Sequence, residues 1–205
     1  KFYPKAEKGW LAVVGLDPST GKIHRDSSRA GEAMNWTITA SFVAEADKVY
    51  NGINYHTTAF GTAPVVAGAA GAIQVKYPWM SRDLIRQSLL TTATDLGDVG
   101  VDNVYGWGYL NLEKALKGPA VFDKRLTFDN DGNRIDNVII DMNGYPTSSE
   151  NIANYTFAND ISGDAGVIKK GTGTLWFTGN NTYSGQTTIQ DGAPVSYTHL
   201  RAHET

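Results

Sequence analysis

The stretch "NYHTTAFGTAPVVAGAAGAIQVKYPWMS", residues 54–81, contains a long run of small apolar residues that starts at a proline. For most of its length the run has no polar face, which predicts a helix that is buried on all sides. Pro64 suits the first helical turn, where its missing N–H is no loss. Gly68 and Gly71 each cost about 1 kcal/mol in a helix interior. We therefore expect neighbouring elements to pack closely against both glycines.

A second helix is predicted directly after this run, in "SRDLIRQSLLTTATDLG", residues 81–97. Ser81 is a favourable N-cap residue, and Asp83 in the first turn complements the positive end of the helix dipole. We expect Gly97 to end the helix. Apolar residues recur at the spacing of one buried helical stripe: Ile85, Leu89 and Ala93.

The segments before the apolar run have the character of strands. "WLAVVGL", residues 10–16, is apolar and is followed by turn residues at Asp17, Pro18 and Gly21, so it predicts a buried strand that ends in a turn. "AMNWTITASF", residues 33–42, is rich in β-branched and aromatic residues and predicts another strand.

A short third helix and a domain boundary are predicted near residue 119. "YGWGYLNLEKAL", residues 105–116, supplies an aromatic turn, an N-cap at Asn111 and a short helical segment. Gly118 and Pro119 then close the helix. Because the texture of the sequence changes after this pair, we predict an α/β region over residues 1–119.

Beyond residue 119 the chain predicts β-structure throughout. "RLTFDNDGNRIDNVIID", residues 125–141, alternates as a hairpin would around an Asp-Gly turn. Short strands separated by Gly, Asn and Asp then follow, which indicates the rungs of a β-solenoid. We divide this part into three segments: a linker and hairpin at 120–156, the repeat at 157–193, and an odd tail at 194–205.

Composition excludes several classes of protein. The chain has 205 residues, a net charge of -3 and no cysteine, which argues against nucleic-acid binding, disulfides, cysteine-based zinc sites and thiol catalysis. No apolar run approaches the roughly 20 residues that span a bilayer. Since the chain begins "KFYPKAEKGW", without Met or a signal peptide, we expect it to be a fragment of a longer protein. The tail "PVSYTHLRAHET" resembles translated sequencing adapter and is left out of the fold prediction.

Residues 1–119 resemble the C-terminal part of a subtilisin-like serine protease domain. "WLAVVGLD", "WTITAS", the 54–81 run with its following helix, and "VDNVYGWGYLNLEKAL" match segments of that family in the same order. Residues 157–193 are similar to the autotransporter-associated β-strand repeat, through "KKGTGTL" and "GNNTYSGQTTI". Together they imply the C-terminal part of a subtilisin-like parallel-sheet domain followed by the start of a β-solenoid (β-helix) passenger.

The resemblance also implies a function and a location. A protease joined to this repeat resembles a subtilisin-like autotransporter, which implies a Gram-negative endopeptidase, secreted or held at the cell surface. Proteins or peptides would be its substrates, and its own C-terminal outer-membrane barrel would be its partner. No cofactor and no nucleic acid is implied.

The family presents its nucleophile in Gly-Thr-Ser-x-Ala-x-Pro at the start of the buried helix, where backbone N–H groups help to hold the oxyanion. Alignment with one inserted residue places Ala59 at the nucleophile position, alignment without a gap places Phe60 there, and the Gly-Thr pair places Ala63 there. No catalytic residue is therefore intact, because no alignment supplies a serine. The family's catalytic His, Asp and oxyanion Asn fall upstream of the matched segments.

Three explanations of the missing serine stay open: a nucleophile lost in descent, an error in the sequence near residue 59, or a threonine nucleophile. The last would use Thr57, Thr58 or Thr62, whose β-branched hydroxyl without a base is a poor substitute. His56 is adjacent in sequence but reads as a loop residue, and His24 reads as a solvated loop histidine. We predict a fragment that is inactive by itself.

A weak calcium candidate lies in "DNDGNRID", residues 129–136. Its oxygen ligands would come from four side chains: Asp129, Asp131, Asn133 and Asp136. The glycine falls at the fourth position, whereas the helix-loop-helix calcium loop has it at the sixth. A hairpin turn explains the same residues.

A non-catalytic function is the alternative to the endopeptidase. In that case a degenerate protease domain caps a β-helical stalk that serves in adhesion or display.

Overall fold

The structure is a computed structural model that describes residues 4–42, 48–50, 53–55, 62–145, 149–191 and 196–197. It is a mixed α/β fold with parallel sheets, as predicted from the sequence. The described helices and strands are, in chain order, β1 (Ala12–Asp17), β2 (Lys22–Ile23), β3 (Thr37–Ser41), β4 (Lys48–Tyr50), β5 (Ile53–Tyr55), α1 (Thr62–Lys76), α2 (Arg82–Thr91), α3 (Leu112–Ala115), β6 (Val121–Phe122), β7 (Asn137–Asp141), β8 (Thr156–Phe157), β9 (Ser162–Gly163), β10 (Gly166–Lys170), β11 (Trp176–Phe177), β12 (Thr187–Ile189) and β13 (Ser196–Tyr197).

A three-stranded sheet in the order β2-β1-β3 forms the base of the α/β region. β1 and β3 are parallel, with Val13 opposite Ile38, whereas β2 is antiparallel to β1. The predicted strand over residues 10–16 and its turn are confirmed, and Gly21 adopts a φ of 67° in that turn. Only the second half of the predicted 33–42 strand is extended, because a 3-10 helix occupies Gly31–Trp36 before β3 begins.

Helix α1 forms where the sequence predicts it, but the prediction that it is buried on all sides is wrong. Its inner face packs on β1 and β3 through Val66, Ala69 and Ile73, each at most 4% exposed. Its outer face is open, and Val75 there is 83% exposed. The expectation of close packing at the two helix glycines is wrong as well: a Cβ on either would meet nothing within 4 Å in the described part of the chain, the helix's own backbone aside.

Helix α2 is the buried helix of the region. Ser81 caps it as predicted, since its hydroxyl accepts a hydrogen bond from the Leu84 N–H at 3.1 Å. The helix ends at Thr91, six residues before the predicted Gly97. Beyond it the chain turns into an antiparallel bridge between Thr94 and Tyr109, which redirects the backbone before the glycine is reached. α3 is capped by Asn111 as predicted.

The region after residue 119 consists of parallel ladders, which we call the parallel stack (residues 120–191). Three sets of strands pair in parallel: β7 with β10 and β12, β8 with β11 and β13, and β6 with β9. The predicted 125–141 hairpin is confirmed only around its Asp-Gly turn, where Phe128 and Arg134 form an isolated antiparallel bridge and the Ile135 N–H donates to the Thr127 carbonyl at 3.2 Å. Its arms do not pair further, because β7 pairs with the later strand β10 instead.

One continuous core runs through the α/β region and the parallel stack. It contains Ile38 and Leu90 on one side and Phe157 and Val167 on the other, all at most 1% exposed. Across the described ranges, no helix combines the length and the apolar character that crossing a membrane requires.

Candidate active site

The start of α1 is the position at which the sequence places a nucleophile. Ala59 and Phe60, the first two candidates, lie outside the described residues. Ala63 lies in the first turn of α1 and is exposed. Its methyl group cannot attack a carbonyl carbon, so a nucleophile at this position would have to come from another residue.

The surroundings of α1 have the geometry of a site in a parallel sheet. Ligands of open α/β sheets bind outside the carboxyl ends of the strands, and the first residue of α1 lies at the end of β1. A Cβ added to Gly15 would lie 3.1 Å from the Thr62 Oγ1 and 2.8 Å from the Phe42 ring. Only a glycine leaves room for the helix start, the strand end and the Phe42 ring to meet.

Thr62 has the one candidate hydroxyl of the predicted site that the described residues include. Its side chain is 2% exposed, and its Oγ1 has no hydrogen-bond partner among the described residues. A nucleophile must reach the carbonyl carbon of a substrate, and a buried side chain does not. The geometry therefore opposes Thr62 as nucleophile, and Thr57 and Thr58 lie outside the described residues.

His24 is placed against the same strand ends. Its ring stacks on Phe42 at a centroid distance of 3.7 Å and an angle of 3°. Its Nδ1 accepts a hydrogen bond from the Asp26 N–H at 3.3 Å and lies 3.7 Å from the Asp26 carboxylate. The prediction of a solvated histidine is wrong, because the His24 side chain is 20% exposed. The sequence carries no signal for this contact, since His24 and Phe42 are far apart in the chain. His56 lies outside the described residues.

Ser27 supports the end of β1. Its hydroxyl accepts a hydrogen bond from the Gly15 N–H at 2.8 Å and donates to the Ser28 carbonyl at 3.1 Å. The hydroxyl is therefore engaged with backbone on both sides, which fixes the strand end. Ser27 was not singled out by the sequence, because serines in loops carry no periodic signal.

The calcium candidates are not gathered into one cluster. The Asp129 carboxylate accepts hydrogen bonds from the Asn133 N–H at 2.8 Å and from its side-chain amide at 2.9 Å. Those bonds lower the pKa of Asp129. Asp136 forms an ion pair with Lys124 at 3.4 Å, while Asp131 is exposed. In the described ranges, no three His, Cys, Asp or Glu side chains converge as metal ligands.

A buried polar cluster lies on α2, away from the sheet ends. Asp83 accepts hydrogen bonds from Arg86 at 2.9 Å and from the Gln87 amide at 2.9 Å. Burial raises the pKa of Asp83, although Arg86 opposes that shift. Arg86 and Gln87 also donate to the Leu126 carbonyl, both at 3.3 Å. These hydrogen bonds join α2 to the parallel stack.

A cleft of about 450 Å³ adjoins that cluster, between the start of α2, the turn at residues 128–130 and one face of β7. Lys8 crosses it by donating to the carbonyls of Asp129 and Asn130 at 2.9 and 2.7 Å. Ser81 contributes a hydroxyl to its lining, but that hydroxyl accepts the N-cap bond of α2. The cleft therefore supplies no activated nucleophile.

Two family models match the chain. One, described as the Subtilase family, covers residues 2–108. The other, described as the passenger-associated-transport-repeat, covers residues 167–193. The two matches lie on either side of the predicted boundary at residue 119.

Two relatives are similar to this chain in sequence. The chain is 40% identical over 212 residues to the "Neisserial autotransporter lipoprotein NalP" of Neisseria meningitidis, covering 96% of this chain and 18% of that protein. It is 38% identical over 152 residues to an "Extracellular serine protease" of Serratia marcescens, covering 63% of this chain and 14% of that protein. The chain thus spans less than a fifth of the length of these relatives.

Among solved structures, the chain is similar to fervidolysin from Fervidobacterium pennivorans, described as a keratinolytic enzyme related to subtilisin. The identity is 25% and the TM-score 0.44, with 62% of this chain and 23% of that chain covered.

Proposed function

The chain belongs to the subtilase family, and we propose that it forms the C-terminal part of the protease domain of an exported serine endopeptidase, continued by the first coils of a β-helical passenger. The relatives' autotransporter character and the transport repeat support a secreted or cell-surface protein of a Gram-negative bacterium. Proteins or peptides would be the substrates of the whole protein, and an outer-membrane barrel at its C-terminus its partner.

The arrangement at the carboxyl ends of β1 and β3 is the observation that carries this proposal. Helix α1 starts against Gly15 and Phe42, which places its N-terminus beside the carboxyl end of β1. The positive end of a helix dipole stabilises the negative oxygen that develops when a peptide carbonyl is attacked. We propose that the start of α1 serves acyl transfer in this way.

The chain as it stands supplies no nucleophile to that site. We propose Ala59 as the residue at the nucleophile position, with Phe60 or Ala63 in the other alignments. The burial of Thr62 argues against it as a substitute nucleophile. The catalytic His and Asp of the family have no matching positions in this chain, so we expect no hydrolysis by the chain itself.

The parallel ladders support the second half of the proposal. Thr156 pairs with Trp176, and Val167 pairs with Thr187, twenty positions further along the chain in each case. The offset is larger between β7 and β10, where Val138 pairs with Val167, but parallel, in-register strands with the same offset in two ladders support a solenoid in which each coil covers the one before it. We propose that the parallel stack is the start of a β-solenoid.

A non-catalytic role is the second candidate, because no alignment places a serine at the start of α1. In that case the α/β region caps the stack, and function lies with the stack, in adhesion or display.

Mass spectrometry of the natural protein distinguishes the two. Trypsin releases residues 49–76, and a serine at position 59 would add one oxygen atom to that peptide. The serine mass, with labelling of the whole protein by a fluorophosphonate probe for activated serine and threonine hydroxyls, would support the endopeptidase. The alanine mass without labelling, which the sequence of this chain predicts, would support the non-catalytic role. Labelling of a threonine in this peptide would contradict the proposed site.

A further inference from the structure

The loop between α1 and α2, Tyr77 to Met80, is inserted into the parallel stack. The Tyr77 hydroxyl donates to two carbonyl groups, those of Leu116 and Thr156, both at 2.9 Å; a single hydroxyl proton is thus shared between two acceptors. The Trp79 indole N–H donates to the Asn154 carbonyl at 2.7 Å. Both side chains are at most 5% exposed. Buried polar groups of an α/β helix loop are thus satisfied by backbone of the stack.

An aromatic row continues the contact into the interior of the stack. Trp79 lies 5.7 Å from Phe157, measured between ring centroids, and Phe157 stacks on Phe177 at 5.6 Å and 8°. Phe177 in turn contacts Phe122 at 6.2 Å. Gly118 allows this approach, since a Cβ there would overlap the Phe157 ring. The row links α1 and α2 to two successive strands of one ladder, β8 and β11.

Polar contacts hold the same two parts together around the row. Arg86 and Gln87 on α2 donate to the Leu126 carbonyl, and the Thr91 hydroxyl accepts from the Ala120 N–H at 3.1 Å. At the outer end, Arg134 forms an ion pair with Glu7 at 2.9 Å. If the stack were absent, α2 would expose apolar surface and leave the Arg86 guanidinium without one of its acceptors, which costs free energy.

We infer that the first coils of the parallel stack are the part that completes the α/β core, so that the two regions are one cooperative folding unit. In chain order α2 and the 77–80 loop precede the coil on which they pack. They therefore reach their final packing only after residues 149–177 have formed that coil.

Hydrogen exchange of the full chain tests the inference, because a cooperative unit opens as a whole. The variant Phe177→Leu removes the stacking on Phe157 inside the stack without changing a residue of the α/β region. We expect the amides of β10 and of α2 to exchange faster by the same factor, roughly tenfold or more. Ile189→Ala, at a 39% exposed position of the same stack, should leave both unchanged.

A second variant, on the α/β side of the contact, distinguishes loss of this contact from a general loss of folding. Trp79→Phe keeps an aromatic ring at this position but removes the indole N–H that donates to Asn154. Its control is Trp10→Phe, since Trp10 is 60% exposed. We expect Trp79→Phe to speed exchange in β10 and α2 together by roughly fivefold, and Trp10→Phe to change neither. Faster exchange of β10 alone after Phe177→Leu, or of α2 alone after Trp79→Phe, would overturn the inference. Amide exchange does not depend on peptidase activity, so the experiment tests this inference separately from the proposed function.

Discussion

Glycines of α1 and glycines of the parallel stack have opposite surroundings. A Cβ added to Gly166 or Gly185 in the stack would overlap atoms of neighbouring segments of the stack. A Cβ added to Gly68 or Gly71 in α1 would meet nothing within 4 Å in the described residues beyond the helix's own backbone. The stack is therefore packed to the limit of backbone approach, whereas the outer face of α1 has room. The same residue type thus indicates a closed surface in one region and an open one in the other.

Filling a stack glycine should have the largest effect. In Gly185→Ala the new methyl group would overlap the backbone of Ala165 and Gly166, and because backbone cannot move aside as a side chain can, we expect a loss of about 3 kcal/mol or more in the free energy of unfolding. Urea unfolding followed by circular dichroism measures it. A loss below about 1 kcal/mol would mean that Gly185 does not lie in close contact with Ala165 and Gly166.

Truncation of an apolar side chain should have the next largest effect on stability, and the effect should differ between α2 and α1. Leu89 on α2 is 1% exposed and Val75 on α1 is 83% exposed. Leu89→Ala should therefore lower the free energy of unfolding by about 2 to 5 kcal/mol, and Val75→Ala should change it by less than about 0.5 kcal/mol. Equal effects in urea unfolding would show that α1 is as buried as α2.

The difference in burial between α1 and α2 shows what the sequence could and could not predict. The sequence predicted α1, the start of α2, α3 and β1 correctly, because these depend on local residues such as Ser81 and Asn111. The burial of the polar side of α2 could not be predicted, since Arg86 and Gln87 are buried by contact with the Leu126 carbonyl, which lies some forty residues away. The exposure of the outer face of α1 could not be predicted either, because an apolar sequence does not reveal which elements pack against it.

The site shows the same division. The start of α1 and the absence of serine followed from the letters around residues 59–64. The contact of His24 with Phe42 and the burial of Thr62 did not, because both depend on where β1 and β3 end in space. The arms of the predicted 125–141 hairpin do not pair with each other for a related reason. Alternation of apolar and polar residues predicts which side chains share a face of a strand, but not the strand with which it pairs.

Asp83, which is partly buried, and Asp123, which is buried, should give the two regions opposite responses to pH. Burial raises the pKa of Asp83 on α2. Burial also acts upward on Asp123 in the stack, but its hydrogen bonds with Arg125 outweigh it and lower that pKa. The stability linked to Asp83 is thus complete below its ordinary pKa and is lost as pH rises through the raised value. That linked to Asp123 is present above its ordinary pKa and is lost as pH falls through the lowered value.

The variants Asp83→Asn and Asp123→Asn resolve the two contributions. Each is compared with the unmodified chain in urea unfolding from pH 3 to pH 7. As pH rises, Asp83→Asn should gain stability relative to the unmodified chain, and Asp123→Asn should lose it. Slopes of the same sign would show that one of the two carboxylates has a different environment from the one described.

The smallest effect is expected on α1, and it decides what the open face means. Gly68→Ala in this chain should raise the free energy of unfolding by about 0.5 to 1 kcal/mol, because alanine favours the helix and the methyl group meets no neighbour. Urea unfolding followed by circular dichroism measures the change. A gain means that the outer face of α1 is open at Gly68, and a loss would mean that another group packs against Gly68, as the sequence led us to expect.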